Sequence, residues 1–347
     1  MKYSIIVPVY NRPDEVDELL KSLTEQTEKD FEVIIVEDGS VTPCKEVCEK
    51  YTEQLDLKYF MKQNSGPGQS RNYGAERANG EYLIVLDSDV VLPRTYIKEV
   101  EEELASQPAD AFGGPDRAHE SFTPTQKAIS YSMTSFFTTG GIRGGKKKLD
   151  KFFPRSFNMG IRRDIYQQLG GFSKMRFGED IDFSYRIVEA GYQPRLFPRA
   201  WVWHKRRTDF RKFFRQVYNS GIARINLEKL HPGTMKLVHL LPMVFTVGVI
   251  ALILISAFGR AMTHFDAAHS SLWKWVFLLP WIPIVLYALL IFIDSSIKNH
   301  SIMIGMKSIV AAFTQLMGYG FGFLEAWWKR CVRGKDEFTA FEKNFYK

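Results

Sequence analysis

Asp87 and Asp89 stand one residue apart where an apolar run, Tyr82 to Leu86, gives way to polar sequence. Carboxylate oxygens suit hard divalent cations, so the pair reads as a site for Mg²⁺ or Mn²⁺, against the plainer reading of a polar turn closing a strand. A second acid pair, Glu179-Asp180, follows Phe177-Gly178. Adjacent residues at a helix start point in different directions, so one can take a proton while the other caps the helix or meets a basic neighbour. Upstream of both, Asn64-Ser-Gly-Pro-Gly-Gln-Ser-Arg-Asn72 is a glycine-bearing loop that runs into a helix pattern. Such loops offer backbone N–H groups to phosphate, and Arg71 is placed to meet a phosphate oxygen. A dinucleotide fingerprint is a weak reading of this loop. It follows the third strand rather than the first, and Arg71 stands where the last glycine should be.

The elements that must position these groups are strands and helices in alternation. Tyr3 to Val9, Phe31 to Val36, Leu57 to Met61 and Tyr82 to Leu86 read as strands. Helix spacing fills Pro13 to Gln26, Pro43 to Gln54, Pro67 to Ala78 and Arg94 to Ala105. Continuous apolar strands joined by helical crossovers imply an α/β fold with a mostly parallel central sheet. Open sheets of this kind bind ligands at their carboxyl edge. Three loops leaving that edge carry unusual residues: Pro8-Val-Tyr-Asn11, Glu37-Asp-Gly-Ser40 and Asp87-Ser-Asp89. The expectation is a single site. Further on, Phe157-Asn-Met-Gly160 leads into an amphipathic run to Leu169, a strand entering a helix. Gly140-Gly-Ile-Arg-Gly-Gly-Lys-Lys-Lys148 reads as a basic, mobile surface loop that could order over an anion.

Seven short pieces occur in a fixed order: Ile6-Val-Pro-Val-Tyr-Asn11, Val36-Glu-Asp-Gly-Ser40, Gly66-Pro-Gly-Gln-Ser-Arg-Asn72, Leu86-Asp-Ser-Asp89, Asn158-Met-Gly160, Gly170-Gly-Phe172 and Gly178-Glu-Asp180. Over about residues 3–205 this set resembles the family 2 glycosyltransferases, whose fold is the GT-A nucleotide-sugar fold. The resemblance implies that Pro8, Tyr10 and Asp38 hold the base and ribose of a nucleotide, and that Arg71 lies near its diphosphate. It makes Asp87 and Asp89 the family's Asp-x-Asp pair for ribose and metal. It makes Asp180 the base, with Glu179 beside it, and the segment from Phe157 the border of the acceptor pocket. His204, in Trp201-Val-Trp-His204, becomes a ligand of the metal or diphosphate, where a lone histidine is otherwise structural. Gln216-Val-Tyr-Asn-Ser220 departs from the Gln-x-x-Arg-Trp pattern of processive synthases, which implies one sugar added per acceptor.

A length of 347 residues suggests two structural units, and an apolar content of 45% excludes disorder. Cys44, Cys48 and Cys331 have no spacing for a disulfide frame or a zinc site. Leu240 to Phe258 and Trp275 to Ile293 are each 19 residues without a charge, long enough to cross a bilayer. A third stretch, Ser308 to Leu324, carries Gly318, Gly320 and Gly322. Its length allows a crossing, while Lys329, Arg330, Arg333 and Lys335 beyond it favour an interfacial or re-entrant helix. Asp209 to Leu230 is basic, aromatic and amphipathic, as a helix at a membrane interface would be. No leader precedes the first strand, so the first 235 residues are expected in the cytosol. Basic clusters beside the spans account for part of the net charge of +7, which is not read as nucleic-acid binding.

The expected layout is a catalytic domain over 1–207 with nucleotide (1–115) and acceptor (116–207) halves. Interfacial helices over 208–236, a membrane region over 237–328 and a basic cytosolic tail over 329–347 follow. The expected protein is a multi-pass, metal-dependent inverting transferase of the cell membrane, taking a UDP-linked sugar to a lipid-linked or membrane-associated acceptor. Its rivals are a non-catalytic nucleotide-sugar-binding scaffold, which has no need of both acid pairs, and a processive synthase, which wants more spans.

Overall fold

The computed structural model describes residues 1–117, 122–139, 152–175, 177–265 and 269–335. The glycine-rich basic loop 140–148 and the tail beyond residue 335 lie outside the described residues. In chain order the first elements are β1 (Tyr3–Val9), α1 (Pro13–Thr24), β2 (Phe31–Asp38), α2 (Lys45–Glu49), β3 (Leu57–Lys62), α3 (Pro67–Ala75), β4 (Tyr82–Leu86), β5 (Val90–Val91), α4 (Tyr96–Ser106), β6 (Ala111–Gly113) and β7 (Asp116–Arg117). Then come α5 (Pro124–Thr134), α6 (Phe136–Thr139), β8 (Asn158–Arg162), α7 (Arg163–Gln168), α8 (Glu179–Glu189), β9 (Pro194–Leu196) and β10 (Val202–His204). The chain closes with α9 (Phe210–Leu230), α10 (Leu237–Phe265), α11 (Ser270–Leu278), α12 (Ile282–Asn299) and α13 (Ile302–Trp327).

The described residues form two compact units, one of residues 1–117, 152–175 and 177–205, the other of residues 122–139, 206–265 and 269–335. The first holds a seven-stranded sheet in the order β3-β2-β1-β4-β8-β6-β9. Strands β1 to β4 run parallel, and only β8 is antiparallel to its neighbours, so the expected mostly parallel sheet is what the chain forms. Alternate residues of the central strands face opposite layers. Ile5, Val7, Val33, Ile35 and Ile84 pack with Leu19, Leu20, Leu23 and Val100 on one side. Ile6, Ile34, Val36, Leu83 and Val85 pack with Ile165, Phe183 and Ile187 on the other. Each such side chain contributes about 1.5–3 kcal/mol on burial, and a one-residue slip would exchange the two sets, so this double-sided burial fixes the register. A small second sheet, β5-β10-β7, carries the residues just after Asp89 against the strand that ends in His204.

Helix α2 is shorter than the periodicity predicts, because the chain turns after Glu49: Thr52 Oγ1 donates to the Glu49 carbonyl and Tyr51 Oη to Asp17. Residues 124–139 belong with the second unit, where Ala128, Ile129 and Met133 pack against Phe213, Val217, Ile304 and Ala311. An amphipathic face does not name its partner, and this one is buried by helices that lie far along the chain.

The second unit has three helical stretches long and apolar enough to cross a membrane: Leu237–Phe265, Trp273–Asn299 and Ile302–Val332. The loop expected between the first two is largely helical, with α10 running to Phe265 and α11 starting at Ser270. Pro280 sits in a 3₁₀ turn, Leu279–Trp281, that joins α11 to α12. The third stretch, left open between a crossing and an interfacial helix, is a continuous α-helix packed through its glycines. A Cβ on Gly322 would fall on the Tyr218 carbonyl of α9, and one on Gly221 of α9 would fall on the Tyr319 carbonyl of α13. Helix α9 is thus buried along one face, at Phe213, Val217, Gly221 and Ile225, by protein.

Candidate active site

The β1 loop is shaped by Asn11, whose φ of 54° is unusual for a residue with a side chain. Its N–H donates to Ser40 Oγ (2.7 Å), and its Oδ1 accepts from Val41 N (2.8 Å) and Thr42 N (3.0 Å). The first two expected loops are therefore stitched together. Ser40 Oγ donates in turn to the buried Glu37 carboxylate, which also accepts from Cys44 N at 2.7 Å. Pro8 is half-buried and Tyr10 exposed at this edge. Asp38 turns onto the loop entering α3: Oδ1 accepts from Ser65 N (2.9 Å) and from Lys62 Nζ, and Oδ2 from Gly66 N (2.8 Å).

At the end of β4, Asp87 Oδ1 accepts from Arg71 Nη2 at 2.9 Å. Asp89 accepts from Arg12 Nη1 on Oδ2 (2.6 Å), while His204 Nε2 lies 3.2 Å from its Oδ1. The small sheet brings this about by pairing His204 with Val90, the residue after Asp89. Phe157 stacks on the imidazole with ring centroids 5.0 Å apart. Burial pushes the Asp89 carboxyl up, but the hydrogen bond from His204 and the charge of Arg12 outweigh it and hold the group below the usual carboxylate range.

One ligand atom each from Asp87, Asp89 and His204 lies within 4.8 Å of the others. Two carboxylates and an imidazole are a donor set that suits Mg²⁺ or Mn²⁺. His204 Nδ1 is buried without a hydrogen bond among the described residues and lies 3.9 Å from Asp116 Oδ2. These residues fit a divalent cation.

The acid pair sits in the first turn of α8, entered through Gly178 at φ 87°, a left-handed turn that glycine makes without strain. The two side chains diverge, as adjacent helical residues must. Glu179 Oε1 meets Arg71 Nη1 at 3.0 Å, and Asp180 Oδ2 meets Arg155 Nε at 2.9 Å. Arg71, expected near a diphosphate, meets two carboxylates. It is 3% exposed, divided between Asp87 and Glu179, and lies over the Phe172 ring at 5.1 Å, so it joins the two acid pairs from beneath. Burial raises Glu179 to about 7 against the pull of Arg71, with Asp180 adding to the rise. Sequence reasoning missed Arg12 and Arg155. Each is a lone arginine in a loop, with no local pattern to mark it.

An α/β sheet with acidic loops at its carboxyl edge, extended by a small sheet that returns a histidine to that edge, defines a GT-A fold. The mannosyltransferase of Pyrobaculum calidifontis, solved in complex with GDP-Man and Mn²⁺, has this fold at a TM-score of 0.57 and 15% identity, over 95% of this chain and 88% of that one. Residues 4–170 match the family described as Glycosyl transferase family 2. Over those residues the chain carries a family 2 glycosyltransferase domain. An uncharacterized glycosyltransferase of Rickettsia conorii is 43% identical over 88 residues, 25% of this chain and 15% of the relative. The poly(ribitol-phosphate) beta-N-acetylglucosaminyltransferase TarS of Staphylococcus aureus is 39% identical over 103 residues, 28% of this chain and 18% of the relative. The chain thus matches less than a quarter of the length of these two relatives.

Proposed function

We propose that this protein moves one sugar from a nucleotide-diphosphate donor, a UDP-sugar by family analogy, to a hydroxyl of a lipid-linked or membrane-associated acceptor, with inversion at the anomeric carbon. The observation that carries the reading is the meeting, in a family 2 domain, of the Asp87, Asp89 and His204 donor set with the Glu179-Asp180 pair through a single buried arginine. In this reading Asp180 takes the proton of the acceptor hydroxyl as its oxygen bonds to the anomeric carbon and the bond to the diphosphate breaks. Arg155 orients the Asp180 carboxylate through its 2.9 Å contact. Arg71 holds Asp87 and Glu179 at a fixed separation. The edge bearing Pro8, Tyr10 and Asp38 receives the nucleoside. A divalent cation held by Asp87, Asp89 and His204 would offset the charge that grows on the diphosphate.

A lipid-borne acceptor is favoured by the three membrane-length helices in the same chain, which in a bilayer would hold the enzyme at the surface that carries such a substrate. A surface polysaccharide or glycoconjugate intermediate is the product this implies. The test is to incubate membranes containing the protein with a panel of labelled UDP- and GDP-sugars and extract the lipid. Label should enter the organic phase from one donor and fall by about 10²–10⁴-fold in Asp180→Asn. Undiminished transfer by that variant would remove Asp180 from the reaction, and transfer indifferent to a chelator would remove the cation.

A further inference from the structure

The ion pair between Arg12 and Asp89 puts a cation of the protein's own on a carboxylate assigned here to a divalent ion. Its geometry is built in. Asn11, in the left-handed region and bonded to Ser40, Val41 and Thr42, turns the chain so that Arg12, at the start of α1, lays Nη1 2.6 Å from Asp89 Oδ2. His204 Nε2 faces the other Asp89 oxygen. Two arginines thus stand on the two aspartates, and the contrast between them is informative. Arg71 on Asp87 is 3% exposed and also held by Glu179, so it has nowhere to go. The Arg12 side chain is 31% exposed, and Asp89 is the acid it contacts directly. A long, flexible stem with access to water can withdraw its head group at modest cost. A buried guanidinium shared by two carboxylates cannot.

We propose that Arg12 is a displaceable counterion that competes with the divalent cation for Asp89 and so sets the affinity of the site for that cation. The inference rests on the metal-dependent reading given above. With no cation present, Arg12 balances Asp89 as Arg71 balances Asp87. When a cation takes Asp89, the guanidinium is released, and the anionic diphosphate of an incoming donor is the natural partner for its charge. The site then holds a cation weakly on its own and firmly together with the donor, whose negative charge gives Arg12 somewhere to go.

The experiment is a Mn²⁺ titration of the full-length protein in detergent, without donor, followed by the electron paramagnetic resonance signal of free Mn²⁺. Wild type is compared with Arg12→Gln, Arg12→Lys and Asp89→Asn, each first checked for an unchanged circular dichroism spectrum. Removing a like charge beside a partly solvated cation should tighten binding by about tenfold in Arg12→Gln, while Arg12→Lys, which keeps the charge, stays nearer to wild type. Asp89→Asn should abolish binding. Equal or weaker binding by Arg12→Gln would overturn the counterion role and leave the metal site standing. Binding by neither wild type nor Arg12→Gln would overturn the metal-dependent reading itself, and this inference with it. A second reading of the same proteins, Mn²⁺ binding with the nucleotide diphosphate added, should bring wild type and Arg12→Gln closer together.

Discussion

The sheet edge of the first unit and the crossings of α10, α12 and α13 in the second bury polar groups by different means. At the sheet edge of the first, the buried charges of Arg71, Asp89 and Asp38 are each tied to a named partner: Arg71 to Asp87 and Glu179, Asp89 to Arg12, Asp38 to Lys62. At the contacts of the long helices in the second, the buried polar atoms of Ser295, Ser308 and Thr246 are hydroxyls. Ser295 and Ser308 share a 2.7 Å hydrogen bond, and Thr246 returns its proton to the Pro242 carbonyl at 2.9 Å. Helices α9 and α13 approach closely through Gly221, Gly318 and Gly322, with a buried hydrogen bond from Arg330 to Asn226 beyond them. Charges hold an active site rigid because removing one partner strands the other in low dielectric. Glycines and hydroxyls hold helices together by contact, and each contact is worth less. Damage should therefore be severe and local to function in the first unit, mild and graded in the second.

The sharpest way to break that contrast is Arg71→Met. It leaves Asp87 and Glu179 without their shared cation, and the loss expected for a broken buried pair is about 3–5 kcal/mol. Thermal unfolding of the purified protein should show it, and a loss below about 1 kcal/mol, the range of surface pairs, would mean that the network is not structural.

Next in size is a pH effect centred on Glu179. Its folded value, about 7, lies above its ordinary value of 4.5, so the native state holds the proton more tightly than the unfolded chain does. The stabilisation is complete below 4.5 and is lost as pH rises through about 7. On linkage grounds it amounts to about 3 kcal/mol. Glu179→Gln, which cannot ionise, should flatten the decline in unfolding temperature over that window. An unchanged slope would assign the titration to another group.

Smallest is Gly318→Ala, whose Cβ would press first on the Val217 side chain rather than on backbone. That crowding costs about 1–3 kcal/mol as overpacking, while replacing a helical glycine returns about 1 kcal/mol. The net should be about 1 kcal/mol of destabilisation. A loss as large as that of Arg71→Met would erase the distinction between the units.

What the sequence made legible follows from how local each signal is. The central strands announce themselves as apolar runs, and Asp87-Ser-Asp89 and Glu179-Asp180 sit at the ends of elements that the pattern already places. Divergence of Glu179 from Asp180 needed only the geometry of a helix. Arg12 and Asp89, in contrast, are 77 residues apart, and nothing near either one marks the other. Arg71 was legible as a candidate site position but not as a buried one, because burial depends on Phe172 and Glu179 closing over it. The third apolar stretch was ambiguous on charge and length. Its glycines pointed to packing, and the partner, α9, was the missing piece.

Residues 124–139 wait for company. Ala128, Ile129 and Met133 leave the ribosome well before Ile304 and Ala311, the side chains that finally cover them. Until those residues are made, that apolar face lacks part of its folded cover. A version trimmed at residue 207 to obtain a water-soluble enzyme would keep the face and discard its cover. Excising 122–139 along with the helices, and bridging the gap with a short polar linker, is the more rational way to make the transferase half behave in solution.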